Sequence, residues 1–553
     1  MKASIPNQKL NMRNYILTLS AIISILLFFL LISGCSSNAA RFSNNKPITQ
    51  YRDDHPIPVP KSTEYEKLFY AVNVLARRPA VKGLEYDNID LAKDVNSMDE
   101  VPASSWFTPR LGYKKISPKE LLAGPENVGP PQLPLTVVKA KVGGANPGFI
   151  ISDARGKRYL MKFDPPHFPA IETTTALIVN RLFWGFGYNV PEDYLFLFHK
   201  DDLSIDPAGE LTREDVAEVL RSVSLPVDGV YRSTVSLLIE GIVLGPIPDK
   251  GVRKDDPNDK IPHENRRVLR ALRVFSAFTN HSDIRIDNSM DVYVGQTGKG
   301  YVEHFLLDFG EAFGGHGAEH DYLWDGFNHW FSYSNFFQNL VTFGLKVHNW
   351  ESIRYTSWKS VGAFESKVFN PGDWKEVSPY EPIRVSQPDD DYWAAKILAA
   401  LTRDHITELV KAANYPDQGA SEYIIETLME RRRKVLEYFL NQVSPLDLVR
   451  FSDEELQLKD MGNVILNKSD QNTHYEILFY DDTNNRIAEK KEIFGDVDNQ
   501  FVVSIPNSLM EKTNVYFRVD VWVWRGNQKA PTPAQFHLRT DNNSFPRLVG
   551  ILH

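Results

Sequence analysis

The residues best suited to do chemistry in this chain are two aspartates and one asparagine with a distinctive spacing. Asp283 is followed five positions later by Asn288, and Asp308 opens the tripeptide Asp308-Phe-Gly310 further on. A carboxylate can accept the proton of an attacking hydroxyl, while an amide oxygen and a second carboxylate can hold Mg²⁺ against phosphates. An isolated Asp-Phe-Gly usually marks a strand that runs into a turn. The paired spacing is therefore what indicates a site, on a loop and the strand beyond it.

A strand, loop and strand pattern, with small residues in the loop, lies upstream of these residues. Thr136–Val142 is strand-like, the loop after it contains Gly143 and Gly144, and Arg158–Phe163 forms a third strand that carries Lys162. The loop has no regular glycine spacing, but backbone amides next to small residues can approach phosphate oxygens. An ordinary Gly/Pro turn is the alternative interpretation.

The segment Ile171–Phe183 predicts a helix that is buried nearly all round, with Glu172 on its apolar column. A carboxylate on such a face is costly unless it is paired. Lys162, near the end of the preceding strand, is the expected partner. The alternative is a solvated glutamate that favours the first turn of the helix.

The predicted elements that come after the Glu172 helix lead the chain to Asp283 and then to Asp308. A fourth strand, a long strand-like segment and an amphipathic helix lead to Asp283, and a hairpin fills the space between Asn288 and Asp308. Two long amphipathic patterns then suit a helical second lobe. These predicted elements are Tyr194–Phe198, Tyr231–Leu244, His263–Phe278, the hairpin Val292–Val294 with Tyr301–Leu307, and the helices Tyr392–Ala413 and Ser421–Gln442.

Over about residues 135 to 445 the chain resembles the protein-kinase-like superfamily, and most closely its atypical HipA-type and secreted branches. Three features carry the resemblance. The stretch Lys162-Phe-Asp-Pro leads almost directly into the helix of Glu172, the turn Tyr188-Asn-Val-Pro191 follows that helix, and Asp283-x-x-x-Asp-Asn288 stands for a full His-Arg-Asp loop. The chain departs from the family in lacking a clear Ala-Pro-Glu and in its irregular glycine loop.

The resemblance implies ATP and Mg²⁺ as cofactors and a role for each residue. Lys162 would contact the α- and β-phosphates beside Gly143 and Gly144, and Glu172 would orient Lys162. Asp283 would act as the base. Asn288 and Asp308 would hold Mg²⁺.

The N-terminus indicates a location. Basic residues precede an apolar run from Tyr15 to Ile32, which ends at Ile32-Ser-Gly-Cys35, and Cys35 is the one cysteine of the chain. A positive region, an apolar core and small residues before a cleavage point are typical of a secretory signal. The pattern resembles a bacterial lipobox, so we expect a lipid on Cys35, and Ser36 favours the outer membrane. An uncleaved membrane anchor is the alternative.

Composition and patterning predict an α+β chain with two main parts. The 553 residues carry a net charge of −9 and 42% hydrophobic residues, which favours substantial cores and gives no support to nucleic acid as a partner. Short alternating strands after Ser452 predict an immunoglobulin-like β-sandwich. The predicted division is a signal peptide at 1–34, a tether at 35–62, a wrap of the first lobe at 63–134, a kinase-like N-lobe at 135–245, a C-lobe at 246–452 and the sandwich at 460–553.

Three further clusters have ordinary interpretations. His316 and His320 stand four apart as in helical zinc sites, but the glycines there argue against a helix. Asp255–Asp259 is acidic enough for calcium but lacks the glycine and distal glutamate of an EF-hand loop, so we expect a turn. Trp522 and Trp524 could bind sugar, although aromatics on one face are more often core.

The sequence therefore predicts a lipid-anchored envelope protein with a kinase-like phosphotransferase domain that acts on an unidentified envelope hydroxyl. Because an envelope compartment holds little ATP, a catalytically silent binding scaffold is the second hypothesis. Nucleotidyl transfer on the same fold is the third.

Overall fold

The computed structural model describes most of the chain beyond residue 42. The described residues are 42–43, 45–64, 67–74, 78, 89–141, 146–209, 211–316, 319–320, 323–452, 454–466, 473–488, 491–494, 499–510, 513–540 and 546–553. The predicted signal peptide, Cys35, Gly143 and Gly144 lie outside them. Within these ranges no helix has the length and apolar character needed to cross a membrane.

The fold is α+β, and its first part is built on a six-stranded sheet. The strands are β1 (Leu135–Ala140), β2 (Gly148–Ser152), β3 (Arg158–Phe163), β4 (Asp193–His199), β5 (Leu203–Ile205) and β6 (Val230–Leu237). Their spatial order is β4-β6-β3-β2-β1-β5, antiparallel throughout except between β1 and β5. The predicted run of three strands and the fourth strand are confirmed.

Helices cover this sheet and form the second part of the body. Among the described residues the α-helices are α1 (Lys67–Val72), α2 (Pro118–Ala123), α3 (Ile171–Gly185), α4 (Arg213–Arg221), α5 (Arg267–Arg270), α6 (Leu272–Thr279), α7 (Tyr333–Val341), α8 (Glu381–Arg384), α9 (Pro388–Ala399), α10 (Arg403–Ala413), α11 (Gln418–Leu440), α12 (Met461–Leu466) and α13 (Asn507–Met510). Helix α3 packs against β3, β4 and β6, and it shares the largest apolar core with α6, α9, α10 and α11.

The alternation of side chains along β3 places Lys162 on the face of the sheet that α3 covers. Met161 and Phe163 are fully buried in the core on the other face. Lys162 lies opposite Thr234, which lies opposite Leu195 on the next strand. Residues opposite one another in adjacent strands share a face. Leu195 packs against the core that contains α3, so Lys162 faces the same way.

A second sheet, of three strands, contains the hairpin that lies between Asn288 and Asp308. Its strands are β7 (Ile242–Gly245), β8 (Ser289–Val294) and β9 (Tyr301–Leu306), in the order β7-β8-β9. The predicted hairpin after Asn288 is confirmed. The predicted strand Tyr231–Leu244 is corrected, because β6 and β7 belong to different sheets and Gly241, at φ +137°, separates them. Two strands of two residues each, β10 (Gly315–His316) and β11 (Glu319–His320), then pair antiparallel.

The helix predicted over His263–Phe278 is broken, and its polar face is buried. The chain forms a 3₁₀ turn at His263–Asn265 before α5 and α6. Arg270 is 0% exposed and pairs with Asp390 at 3.0 Å. An amphipathic pattern ordinarily turns its polar face to solvent, and periodicity cannot show that a distant carboxylate will cover that face. The predicted helix Tyr392–Ala413 is likewise two helices, α9 and α10.

The basic run Arg431–Lys434 on α11 is only partly solvated. Arg433 is solvated, with its side chain 51% exposed. Arg431 is 3% exposed and donates to the carbonyl oxygens of Ala277, Phe278 and Glu365. This arginine therefore ties α11 to the end of α6.

The C-terminal strands form two sheets that share one apolar core. One is β12-β13-β16 and the other is β15-β14-β17-β19-β20, with β18 beside β17. Among the short apolar segments after Ser452 that predict strands, Val464–Leu466 is instead part of α12. The strand bounds are β12 (Leu446–Ser452), β13 (Glu455–Asp460), β14 (Thr473–Asp481), β15 (Lys491–Phe494), β16 (Gln500–Ser504), β17 (Tyr516–Arg525), β18 (Gln528–Lys529), β19 (Ala534–Thr540) and β20 (Pro546–Leu552).

The N-terminal segments are packed onto this body. Asp53 is buried and accepts hydrogen bonds from the Ser105 backbone N–H at 2.9 Å and from the Ser105 hydroxyl at 2.8 Å. Trp106, Phe107 and Leu111 belong to the largest core. These described segments before β1 are thus in contact with the rest of the protein.

Candidate active site

The structure brings Lys162 and Asp308 together. Lys162 Nζ lies 2.7 Å from Asp308 Oδ1, which joins the end of β3 to the chain that leaves β9. Asp308 adopts a left-handed backbone, with φ +57°, a conformation that non-glycine residues adopt at a cost and that clusters at functional sites. Burial lowers the pKa of Lys162, but attraction to Asp308 outweighs it and the pKa is raised. Burial raises the pKa of Asp308, and Lys162 more than reverses this.

Asp283 and Asn288 are held to each other on the loop between α6 and β8. Asn288 Nδ2 donates to the Asp283 carbonyl oxygen at 2.8 Å and to Asp283 Oδ2 at 2.6 Å. Both of these hydrogen bonds use the amide nitrogen, so the Asn288 amide oxygen is the atom suited to a cation. Arg285 Nε lies 3.1 Å from Asp283 Oδ1.

Glu311 is a member of the site that sequence reasoning missed. Burial and the Glu311 charge raise the pKa of Asp283 well above its ordinary value, and the two carboxyls are hydrogen-bonded. Burial and the charge of Asp308 raise the pKa of Glu311 as well. Two such carboxyls share a proton. The available signal was an acidic residue directly after Asp308-Phe-Gly310.

Glu172 lies at the site but is not in direct contact with Lys162. Its Oε2 accepts a hydrogen bond from Asn146 Nδ2, while its Oε1 is buried and has no hydrogen-bond partner among the described residues. The predicted direct ion pair is therefore replaced by Lys162 with Asp308, although Glu172 still attracts the Lys162 ammonium. Burial, followed by the charges of Glu311 and Asp308, raises the pKa of Glu172 well above its ordinary value.

Asp164 fixes the position of Glu172 relative to Lys162. Its Oδ1 accepts the backbone N–H groups of Glu172 and Thr173, both at 2.9 Å, and its Oδ2 accepts the Thr173 hydroxyl at 2.7 Å. The first N–H groups of a helix have no partner within the helix, so this aspartate caps α3. Because Asp164 follows Lys162 by two residues, this cap holds the start of α3, and with it Glu172, near the end of β3.

His281 connects the loop of Asp283 to the segment that follows Asp308. Its Nδ1 lies 3.0 Å from the Glu311 carbonyl oxygen and must carry the proton, because a carbonyl oxygen only accepts. The ring packs against Phe183 and Phe309, with ring centroids 5.7 Å apart in each case. Burial lowers the pKa of His281, so the imidazole is neutral near pH 7 and serves as a structural link.

The oxygen donors at the site suit a hard cation. Asp308 supplies carboxylate oxygens and Asn288 an amide oxygen, which are ligand types that Mg²⁺ takes together with substrate phosphates. In the part of the chain that the structure describes, no group of three or more His, Cys, Asp or Glu residues is arranged to hold a metal ion.

The two other metal hypotheses gain nothing from the structure. His316 and His320 lie on the short β10 and β11 hairpin. In the acidic segment, Asp259 is buried and pairs with His263 and Arg266, both at 2.8 Å. That carboxylate stabilises the turn before α5.

Neither a protein-family model nor a curated protein matches this chain. Among solved structures, the chain is similar to the crystal structure of the Helicobacter pylori proinflammatory kinase CtkA. The two are 11% identical with a TM-score of 0.28, and the match covers 56% of this chain and 97% of that chain.

Proposed function

We propose that the chain is a kinase-like phosphotransferase that moves a phosphoryl group from a nucleotide to a hydroxyl acceptor. The observation that carries the proposal is the contact of Lys162 with Asp308, which lies next to the hydrogen-bonded pair of Asp283 and Asn288. A cation, two acidic side chains and an amide oxygen from four separate points of the chain meet in one place. Phosphoryl transfer requires positioning and charge stabilisation of this kind.

The arrangement of strands supports a bilobal, kinase-like architecture. Lys162 lies on the third strand of an antiparallel sheet, and Glu172 lies on the helix that follows. The loop of Asp283 and Asn288 precedes a hairpin, and Asp308 follows its second strand. These elements occur in the order that the resemblance implies. The two C-terminal sheets with their common core support the proposed immunoglobulin-like sandwich.

Each residue has a proposed role. Lys162 contacts the nucleotide phosphates, with Gly143 and Gly144 in the adjoining loop. Asp308 and Asn288 hold Mg²⁺, which would neutralise charge on the phosphates of ATP. Asp283 accepts the proton of the acceptor hydroxyl.

Glu172 is proposed to orient Lys162 through charge rather than by direct contact, since Asn146 occupies one of its oxygens. Gly310 allows the close approach of this carboxylate. A Cβ on Gly310 would lie 3.3 Å from Glu172 Oε2, which is tighter than ordinary contact.

One observation favours the silent scaffold as a second candidate. Asp283 has to be ionised to act as a base, but burial and the Glu311 carboxyl both favour its protonated form. In a scaffold, the proton shared by Asp283 and Glu311 would stabilise the contact between the two segments that carry them. In an enzyme, a bound nucleotide or acceptor would have to separate the two carboxyls.

The location is proposed from the sequence. Cys35 would carry a lipid that anchors the protein in the bacterial envelope, at the outer membrane, where the acceptor would also lie. The acceptor must carry a hydroxyl group that can reach Asp283.

Two conservative variants test the proposal. Asp308→Asn removes a metal ligand and should lose Mg²⁺-dependent ATP binding, measured by calorimetry. Asp283→Asn should keep that binding and lose turnover, because its interaction is made only in the transition state. Arg433→Gln, on the solvated face of α11, is the control and should change neither quantity. If ATP binds neither the wild type nor Asp283→Asn, the enzyme proposal fails and the scaffold is favoured.

A further inference from the structure

A strongly apolar, exposed segment begins 22 residues after Asp308. We call residues 330–347 the apolar finger. Scattered surface apolar residues are normal, but a dense patch marks an interaction site. Of the 25 large hydrophobic side chains that are exposed among the described residues, ten belong to this segment: Trp330, Phe331, Tyr333, Phe336, Phe337, Leu340, Val341, Phe343, Leu345 and Val347.

The helix of the finger, α7, turns its apolar stripe outward. Tyr333, Phe336, Phe337, Leu340 and Val341 follow the spacing that ordinarily marks the buried face of a surface helix. Here Phe337 is 57%, Leu340 61% and Val341 76% exposed, and no residue of the helix is buried. Among the described residues, the apolar stripe therefore lacks the cover that this spacing ordinarily receives.

Polar contacts hold the inner side of the finger together. The Lys346 ammonium donates to the side-chain oxygen of Gln338, and His348 Nε2 lies 3.2 Å from Asn339 Oδ1. The returning chain therefore packs on the polar side of α7, and Phe343 is left 92% exposed. Both sides of α7 are thus exposed, and the apolar side is suited to contact with an apolar environment.

The near absence of charged residues in this segment favours a lipid surface over another protein as its partner. Residues 326–350 contain no aspartate or glutamate, and Lys346 is the one lysine or arginine. A specific protein interface combines an apolar centre with a polar, hydrogen-bonding rim. Segments rich in Trp, Phe and Leu that lie at a bilayer surface place the apolar side chains at the boundary of headgroups and acyl chains. Lys346 could extend its ammonium toward the headgroups.

The N-terminal anchor makes a bilayer the available occupant. Phe42 packs on His537, with ring centroids 4.9 Å apart, so the chain is fixed to the body at this point. Phe42 lies seven positions after Cys35, and a fully extended stretch of that length spans about 25 Å at most. A lipid on Cys35 would therefore hold the body against the membrane surface.

We propose that the apolar finger inserts its exposed side chains into the lipid surface to which Cys35 anchors the protein. This inference rests on the proposed lipid anchor and is independent of the proposed enzyme activity. A lipid on Cys35 would attach the protein at one point, so a second apolar contact would set the orientation of the body at the membrane.

Site-specific labelling tests the proposal on the full-length protein. Because Cys35 is the one cysteine, Phe337→Cys introduces a unique thiol for an environment-sensitive fluorophore once Cys35 is acylated. Leu225→Cys is the matched control, since Leu225 is apolar, 80% exposed and outside the finger. Leu340→Cys is a second probe in the finger. Each protein is reconstituted into phosphatidylcholine vesicles with and without nitroxide-labelled lipid.

The expected result is that the labels at residues 337 and 340 shift to shorter wavelength and lose most of their emission to nitroxide lipid, while the label at 225 does neither. High salt should leave this unchanged, because the contact is apolar. Emission at 337 that shifts with protein concentration and resists lipid quenching would overturn the proposal in favour of a second copy. Labelling of the wild type would reveal a free Cys35 thiol and remove the anchor on which the inference rests.

Discussion

Replacement of Lys162 by alanine separates ligand binding from fold stability at the proposed site. The ammonium loses its contact with Asp308, whose side chain is 44% exposed while that of Lys162 is 18% exposed. Although surrounding protein atoms partly desolvate both groups, solvent still reaches the pair and screens it, and such ion pairs contribute about 1 kcal/mol or less. We therefore expect Lys162→Ala to unfold cooperatively, with a free energy of unfolding within about 1 kcal/mol of the wild type.

The effect on nucleotide binding should be larger. A ligand at about 100 times its dissociation constant stabilises the folded state by about 2.7 kcal/mol. Thermal unfolding with and without Mg²⁺ and ATP should show this gain in the wild type and little of it in Lys162→Ala. Lys157→Ala is the matched control, because Lys157 precedes the same strand and forms an exposed ion pair with Glu240 at 2.6 Å. Equal stabilisation of both variants by ATP would refute the role of Lys162.

Three further predictions follow from the anchor, the shared proton and the buried arginines. Cys35→Ser should abolish incorporation of labelled fatty acid, and equal labelling of mutant and wild type would contradict lipidation. Turnover should fall as pH falls through the raised pKa of Asp283. Glu311→Gln removes a like charge beside Asp283, so the acid limb of its pH profile should move to lower pH. An acid limb that does not move would contradict the coupling of the two carboxyls. Arg270→Met leaves carboxylates buried beside α9 and should cost about 3 kcal/mol in urea unfolding, whereas the exposed Arg433→Met should change stability by about 0.5 kcal/mol or less.

The sequence predicts local elements best where one period dominates. Strand β3 alternates strictly, which places Lys162 on one face and Met161 on the other, and the hairpin after Asn288 has clear turn residues. The helix over His263–Phe278 was mispredicted because its arginines are covered by Asp390 and its neighbours, which follow about 120 residues later. Pairing over such a distance leaves no trace in a local pattern.

Apart from Glu311, the sequence indicated the residues that the structure brings together, but it did not indicate their contacts. Spacing indicated Asp283, Asn288 and Asp308, yet it could not show that Lys162 would contact Asp308 instead of Glu172. That choice depends on a left-handed backbone at Asp308 and on Asn146, which reaches Glu172 from a loop that reads as an ordinary turn. The outward stripe of α7 was missed for a related reason, because amphipathic spacing indicates a helix and says nothing of what covers it.

Transfer of radiolabel from ATP to the envelope fraction is the most direct test of the proposed chemistry. With Mg²⁺ present, wild-type protein should transfer label from the γ-phosphate of ATP to an envelope acceptor, and none from the α-phosphate. Asp283→Asn should transfer neither. Label that appears only from the α-phosphate would contradict phosphoryl transfer in favour of nucleotidyl transfer, and equal γ-labelling by wild type and Asp283→Asn would contradict the role of Asp283 as the base.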